Sequence, residues 1–499
     1  MSSPVEQRPI TPPTHMTIRQ LVVMVLSVAA IAGLVVIDQR QPESNVGAVP
    51  VDQPMPFVHT EERSAANWFC PGVPASDGQI SSSIVVSNAG DSDLAATITY
   101  MGRTSSTSTG VVVPARSRTV VDARGGIDSG YVSALVEIAG GVGTAEQVIV
   151  HPAGDATTLC ATTPSDTWFF ADGFTGADSV ETILMTNPFS DATVVDITFV
   201  TKDSEREPAN LQGYVIPAYT TIALPMAEQG ARNEPILAVS ITASSGRLVA
   251  GRVQHYLGQG RLGYAVSLGA PRAATQWWFA DGEKLPGVSE QLVIFNPGDV
   301  DRQLSVVFLN GATAENALEP ALVTAPAHRV TVLETGSLST LPDGRYGIVV
   351  GVNDLDATNN TGIVVEQVIN RRVGDTVGTS VILGTPGDAV STKWSAPSGV
   401  SLGVDDALVV VNTTPNEAVL TIAQVGPAGV VAVTGLDAVV VPGGGTALLA
   451  MPVGVTAGEI IVTSTQPVAV QRLLNRGHDL VGRAAAPLLP FLPMPIVGE

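Results

Sequence analysis

Beyond residue 67 the chain alternates. Short runs place Val, Ile, Leu or Phe at every second position with Thr, Ser, Asp or Arg between them, as in Thr193-Val194-Val195-Asp196-Ile197-Thr198-Phe199-Val200. Clusters such as Ser244-Ser245-Gly246 separate the runs. A period of two with β-branched residues predicts strands having one apolar face, and the clusters predict turns between them. The one long uncharged, mostly apolar run is Leu21–Ile37, 17 residues interrupted only by Ser27 and Gly33. That length is at the short end of what spans a bilayer as a helix.

The strand-rich region is repetitive. Four segments open alike: Trp68-Phe69-Cys70-Pro71-Gly72, Trp168-Phe169-Phe170-Ala171-Asp172-Gly173, Trp277-Trp278-Phe279-Ala280-Asp281-Gly282 and Trp394-Ser395-Ala396-Pro397-Ser398-Gly399. Eighteen to twenty residues after each Trp an Asn closes an apolar run (Asn88, Asn187, Asn296, Asn412), and a Gln stands late in each segment (Gln147, Gln254, Gln367, Gln471). Landmarks recurring in one order mark tandem units. The Trp spacings of 100, 109 and 117 residues exceed the ~40–50 residues of a propeller blade and suit a sandwich of about seven strands. The expected fold is therefore all-β: an N-terminal transmembrane helix followed by four tandem immunoglobulin-like β-sandwich repeats. The expected divisions are a cytoplasmic tail (1–20), the anchor (21–37), a Pro-rich linker (38–66) and sandwiches over 67–166, 167–275, 276–392 and 393–499.

Composition narrows the classes of function. Acidic residues number 46 against 25 basic ones, a formal charge of −21, and this argues against a nucleic-acid partner because no basic stripe is present to neutralise phosphates. Arg19 and the amino terminus before the apolar run favour an N-inside orientation with the bulk of the chain outside the cytoplasmic membrane. Ala30-Ile31-Ala32 leaves a cleaved signal peptide as the alternative. In either case the chain is exported, and Cys70 and Cys160 are free to pair in an oxidising compartment. They lie in the first and last strands expected for the first sandwich, which such a fold brings together. Closing that loop contributes on the order of 4 kcal/mol in the chain-entropy model.

Candidate chemistry is sparse. Trp68, Trp168, Trp277 and Trp394 are expected as structural anchors, either in each core or between neighbouring units. Trp278 adds a second adjacent indole on the opposite face of its strand and is the candidate contact residue, whether exposed or at a unit boundary. The Gln residues are expected to satisfy backbone groups. Gly399-Val400-Ser401-Leu402-Gly403 matches the G-x-S-x-G elbow but is followed by a β pattern, not by the helix that motif needs. Asn353–Asn360 alternates oxygen ligands yet lacks the Gly and terminal Glu of a calcium loop. The six His show no metal-ligand spacing. No catalytic residue, cofactor site or metal site is expected. The expected role is a non-enzymatic envelope protein that scaffolds or recognises an envelope protein or glycan, with a cell-wall carbohydrate-binding array as the alternative.

The W-F-[FW]-A-[DE]-G opening, the strand ending in Asn-Pro (Asn187-Pro188, Asn296-Pro297) and the late strand with its Gln resemble a family of actinobacterial exported proteins of unknown function. The resemblance covers residues 68 to about 490. It implies a membrane-anchored or secreted protein of β-sandwich repeats and supplies no activity or ligand. The first and last units depart from the pattern, as end units of an array often do.

Overall fold

The computed structural model describes residues 55–60, 64–76, 78–140, 143–311, 318–355, 360–399, 406–452, 458–475 and 483–493. The expected anchor, residues 21–37, lies outside them, as do Ser401 and His478. No helix among the described residues is long and apolar enough to cross a membrane. The fold is all-β, built of several sheets.

In the first stretch the sheet order is Ala65–Pro74, Tyr131–Ala139, Leu94–Met101, Ser106–Val113. It is faced by Ser117–Asp122, Ser81–Asn88, Gly143–Val150, Ala156–Leu159. Numbered along the chain, the strands run 1-6-3-4 in one sheet and 5-2-7-8 in the other. The same order describes Thr167–Phe170, Leu237–Ser245, Thr193–Thr201, Tyr214–Ile216 over Thr220–Pro225, Val180–Asn187, Val249–Gly258, Arg261–Leu268. It describes again Gln276–Lys284, Gly344–Val352, Arg302–Leu309, Ala321–Ala325 over Arg329–Glu334, Val288–Asn296, Val364–Val373, Thr376–Leu383. In the fourth stretch one sixteen-residue strand, Ile460–Asn475, serves as both sixth and seventh and joins the two layers. Alternation does what the pattern predicts: in Thr193–Thr201, Thr193, Val195, Ile197 and Phe199 are buried and the residues between them half-buried. With Trp168, Phe170 and Ile183 they form one core between the two sheets.

An immunoglobulin sandwich ends with the strand that flanks its sixth. Here the first strand takes that place, and the seventh flanks the second on the other sheet. The exchange leaves the first strand free to pair with the chain that follows its own eighth strand: Phe69 with Ala161, Phe169 with Ala270, Trp277 with Pro386, Trp394 with Pro490. After three of these pairings the chain enters the next sandwich. After the fourth, Phe491 and Leu492 pair in parallel with Val58 and His59. Residues 55–60, expected as linker, therefore belong to the fold, and Met55, Phe57 and Val58 are buried in the core shared by the first and fourth sandwiches.

The array closes into a ring. The eighth strands contact one another in cyclic order: Ala156–Leu159, Arg261–Leu268, Thr376–Leu383, Arg483–Pro487 and back to the first. Equivalent registers place Thr157, Val266, Val381 and Ala485 at one level, and Leu159, Leu268, Leu383 and Pro487 at the next. A recess of about 60 Å³ at this meeting point is lined by both levels and by Met55 and Pro56. It is far below the ~300–1,000 Å³ of a small-molecule site.

Candidate functional site

The repeated residues divide between the interior of each sandwich, where the Trp and Asn lie, and the junctions between sandwiches, where the residues just after each Trp lie. Each segment-opening Trp is buried, and its indole N–H donates to a carbonyl at the start of the seventh strand: Trp68 to Gly143 (3.0 Å), Trp168 to Leu248 (3.0 Å), Trp277 to Ile363 (2.7 Å), Trp394 to Val468 (3.2 Å). The residue paired with that carbonyl's residue across the sheet is the Asn. All four Asn are fully buried. Asn187 Nδ2 donates to the carbonyls of Asp191, Ile216 and Pro217, and its Oδ1 accepts from Phe189 N; Asn88 and Asn412 repeat the set. One side chain thus serves backbone groups that would otherwise be stranded.

Two residues past the Trp lies the contact with the returning chain. In the first sandwich it is the Cys70–Cys160 disulfide. In the second and third, Phe170 lies over Gly269 and Phe279 over Gly384, where an added Cβ would come within 2.8 and 2.7 Å of the ring. One small gap is bridged by sulfur in one case and filled by an aromatic ring in the others.

One residue past the Trp, the side chain points the other way, into the next sandwich. Phe69 joins the second core and Phe169 packs on Phe295 of the third, 6.3 Å between centroids. Trp278, the expected contact residue, is 9% exposed and packs against Ala407, Val409, Val411 and Ala469 of the fourth sandwich. It lies at a unit boundary and not on an open face. All five Trp are buried, so none offers the exposed ring that a sugar-stacking platform requires.

The turn three and four residues past the Trp docks on the seventh strand of the following sandwich. The receiving position is always the residue opposite the one three before the Asn: Glu146, Gly251, Glu366 and Gln471. Glu366 Oε2 accepts from Ala171 N (2.9 Å) and Asp172 N (2.6 Å). Gln471 Oε1 accepts from Ala280 N (2.5 Å) and Asp281 N (2.9 Å). Glu146 Oε2 accepts from Ser398 N (3.0 Å), Pro397 having no N–H to offer. At the remaining junction Pro71 lacks a donor and Gly72 N bonds Gln147 within its own sandwich. The receiver there is Gly251, where any Cβ would collide with Pro71. The four Gln recur late in each segment but do not occupy equivalent positions. Only Gln147 and Gln367 share a register, Gln471 holds the place of Glu146, and Gln254 lies opposite Glu181.

Two junctions carry buried ion pairs. Arg252 of the second sandwich meets Glu366 of the third at 2.7 Å, and it also donates to the Asp172 carbonyl. Arg261 grips both Asp172 carboxylate oxygens at 2.9 Å and reaches Gln291 of the third sandwich at 3.0 Å. Burial works against the Arg252 charge, but Glu366 and its neighbours more than offset this and hold its pKa above the usual value. Arg472 of the fourth sandwich pairs with Glu146 of the first, both fully buried. Arg345 and Arg371 enclose Asp281 and Glu283 in the third sandwich, with Arg371 Nε to Glu283 at 2.9 Å. Burial, with Arg371 and Arg483 nearby, lowers the Arg345 guanidinium to about 10. Among the described residues Glu181 has no hydrogen-bond partner for either oxygen, and burial pushes it up to about 8 against the pull of Arg252. Its register equivalent Glu290 accepts from Tyr346, Thr335 and Gln367 and is raised by burial to about 7.

The remaining sequence candidates are scattered. Asp354, in the oxygen-rich loop, faces Arg302 at 3.8 Å, and Asn353 donates to Ser305. His151 of the first sandwich stacks on Tyr264 of the second at 4.0 Å, with His255 edge-on at 5.1 Å. His328 lies between Asp299 and Glu205. Among the described residues no three His, Cys, Asp or Glu side chains group as a metal site.

An all-β molecule of several sheets, with its repeated residues shared between sheet interiors and intramolecular junctions, is the class of protein that these features define. The chain belongs to the family of unknown function DUF5719, which matches residues 142–392, just over half its length. The match begins at the seventh strand of the first sandwich and ends just before Trp394. No curated protein matches. Among solved structures, Thermotoga maritima 1070 is similar at 19% identity over 23% of this chain and 95% of that one, with a TM-score of 0.19. A tetra-tandem repeat from the extending region of a large adhesion protein is similar at 13% identity over 81% and 93%, with a TM-score of 0.11. Scores this low carry no argument about fold or function.

Proposed function

We propose that this is a non-enzymatic protein of the cell envelope: four copies of one immunoglobulin-like unit, closed into a rigid array and presented outside the cytoplasmic membrane for recognition of an envelope protein. Residues 21–37 would be the single-pass anchor, with the N-terminus inside. The observation that carries the reading is the use of the repeated residues. The residue after each Trp, the turn behind it and the Glu, Gln or Gly that receives that turn hold sandwiches together, which is what a scaffold requires and what leaves its outer loops and edges free to vary. The Cys70–Cys160 disulfide suits an oxidising compartment. Protease added to intact cells should digest the chain beyond residue 38, and protection of that region would sink the topology. Proximity labelling from the C-terminus should recover envelope proteins; recovery of cytosolic proteins alone would sink the recognition role.

A further inference from the structure

A strand at the edge of a sheet offers a row of unpaired N–H and C=O groups, and proteins guard such rows with charges, prolines, bulges or short strands. Three of the four edges formed by fourth strands here are guarded. In the second sandwich the edge is split into Glu205–Arg206 and Tyr214–Ile216, with Pro208 between. In the third it is the five-residue Ala321–Ala325 between Pro320 and Pro326. In the fourth it is split into Gly429–Ala432 and Val439–Val441. The first sandwich differs. Ser106–Val113 is eight residues long, pairs with Leu94–Met101 without a register break, and carries no charge or proline from Thr104 to Val113. Residues 103–110 are all exposed, and no described strand pairs with its other side.

The free groups can be assigned. Gly102 N donates to Ser105 O across the turn, so in an antiparallel ladder the odd-numbered residues 105–113 face Leu94–Met101 and the even-numbered ones face outward. Val112 O agrees, since it accepts from the Thr119 hydroxyl outside the ladder. Ser106, Ser108 and Gly110 therefore present both backbone groups to solvent, and Val112 its N–H. Water can satisfy those exposed groups one by one, and another extended chain would pair with the whole row at once. Its side chains meet Ser, Thr and Gly, and Thr99 shows the cross-strand contact such a surface makes, its hydroxyl 2.9 Å from that of Ser108.

We propose that Ser106–Val113 is a strand-addition site that takes an extended, uncharged, Ser/Thr-bearing peptide segment of a partner protein, in the mode of edge augmentation. The site rests on the recognition reading above and gives it a location. The test titrates full-length protein with a fluorescent peptide copying Leu94–Met101, the strand this edge already accepts on its other side. Ser108→Pro removes one outward N–H and spares the internal ladder, whereas Ser108→Ala keeps it. Wild type and Ser108→Ala should bind, and Ser108→Pro should bind at least about tenfold more weakly, the scale of one or two lost hydrogen bonds. A second arm needs no protein variant. Peptides N-methylated at alternate residues, in the two possible phases, should split into a binder and a non-binder. Absence of wild-type binding, or equal binding by both methylated phases, overturns the site. A concentration-dependent dimer that Ser108→Pro abolishes would assign the edge to a second copy of this chain and overturn the peptide proposal. Peptide binding that survives while proximity labelling recovers only cytosolic proteins would sink the envelope role and leave the site standing.

Discussion

The junction between the second and third sandwiches and the one between the first and second have the same backbone geometry and opposite chemistry. At the former, Ala171 and Asp172 present two N–H groups to Glu366, whose charge is met by Arg252. At the latter, Pro71 presents none and meets Gly251. A donor that docking buries must be given an acceptor, at a cost of roughly 1–3 kcal/mol if it is not. With Gly72 N already bonded to Gln147 of its own sandwich, no donor of that turn is left, and a carboxylate opposite it would be buried without a partner, unlike Glu146, which has Ser398 N. Gln471 is the intermediate case, accepting two N–H groups without a charge. What the array constrains is the match between turn and receiver, not the identity of either.

The comparison can be broken from either side. The largest effect is expected for Glu366→Ala, which strands Arg252 and two N–H groups in the interior. Loss of about 3–5 kcal/mol in denaturant unfolding is expected, and a loss below that of Gln471→Ala would show that the ion pair is not what holds the junction. Cys70→Ala with Cys160→Ala should cost about 2–4 kcal/mol. Cys70→Phe with Cys160→Gly should recover part of that by copying Phe170 over Gly269; no recovery would mean that the two solutions are not interchangeable. Gly251→Ala should cost about 1–3 kcal/mol by overpacking against Pro71, and a neutral result would show that this junction is looser than its partner. The smallest effect is graded with pH. Glu181, raised to about 8, and Glu290, raised to about 7, hold protons in the fold that the unfolded chain has released. Their contribution is complete below about pH 4.5 and is lost as pH rises toward 7 and 8, each with a slope up to about 1.4 kcal/mol per pH unit. Glu181→Gln should flatten the upper part of a melting curve series from pH 5 to 9; an unchanged slope would remove Glu181 as its source.

The Asn landmarks were legible because each Asn is satisfied by neighbours at nearly fixed distances along the chain, as when Asn187 reaches forward only as far as Pro217. Cys70 with Cys160 was legible because only two thiols exist. Gln254 was not, because a Gln five strands after its Asn along the chain carries no mark of its register, and only the pairing of Val249–Gly258 with Val180–Asn187 shows that it faces Glu181. Trp278 stayed open between exposure and a unit boundary for a related reason. Alternation requires that it point away from its own core, but whether that direction holds water or Val409 of the next sandwich is decided elsewhere in the chain.

The amino-acid order by itself determined the strands and their inward faces, since these follow from a period of two over a few residues. Tertiary structure alone decided that the first strand sits beside the sixth, that Phe491 finds Val58, and that Arg472 finds Glu146 across 326 positions. Such pairings depend on the summed rotations of all four sandwiches, a property of the assembled body that no local pattern encodes.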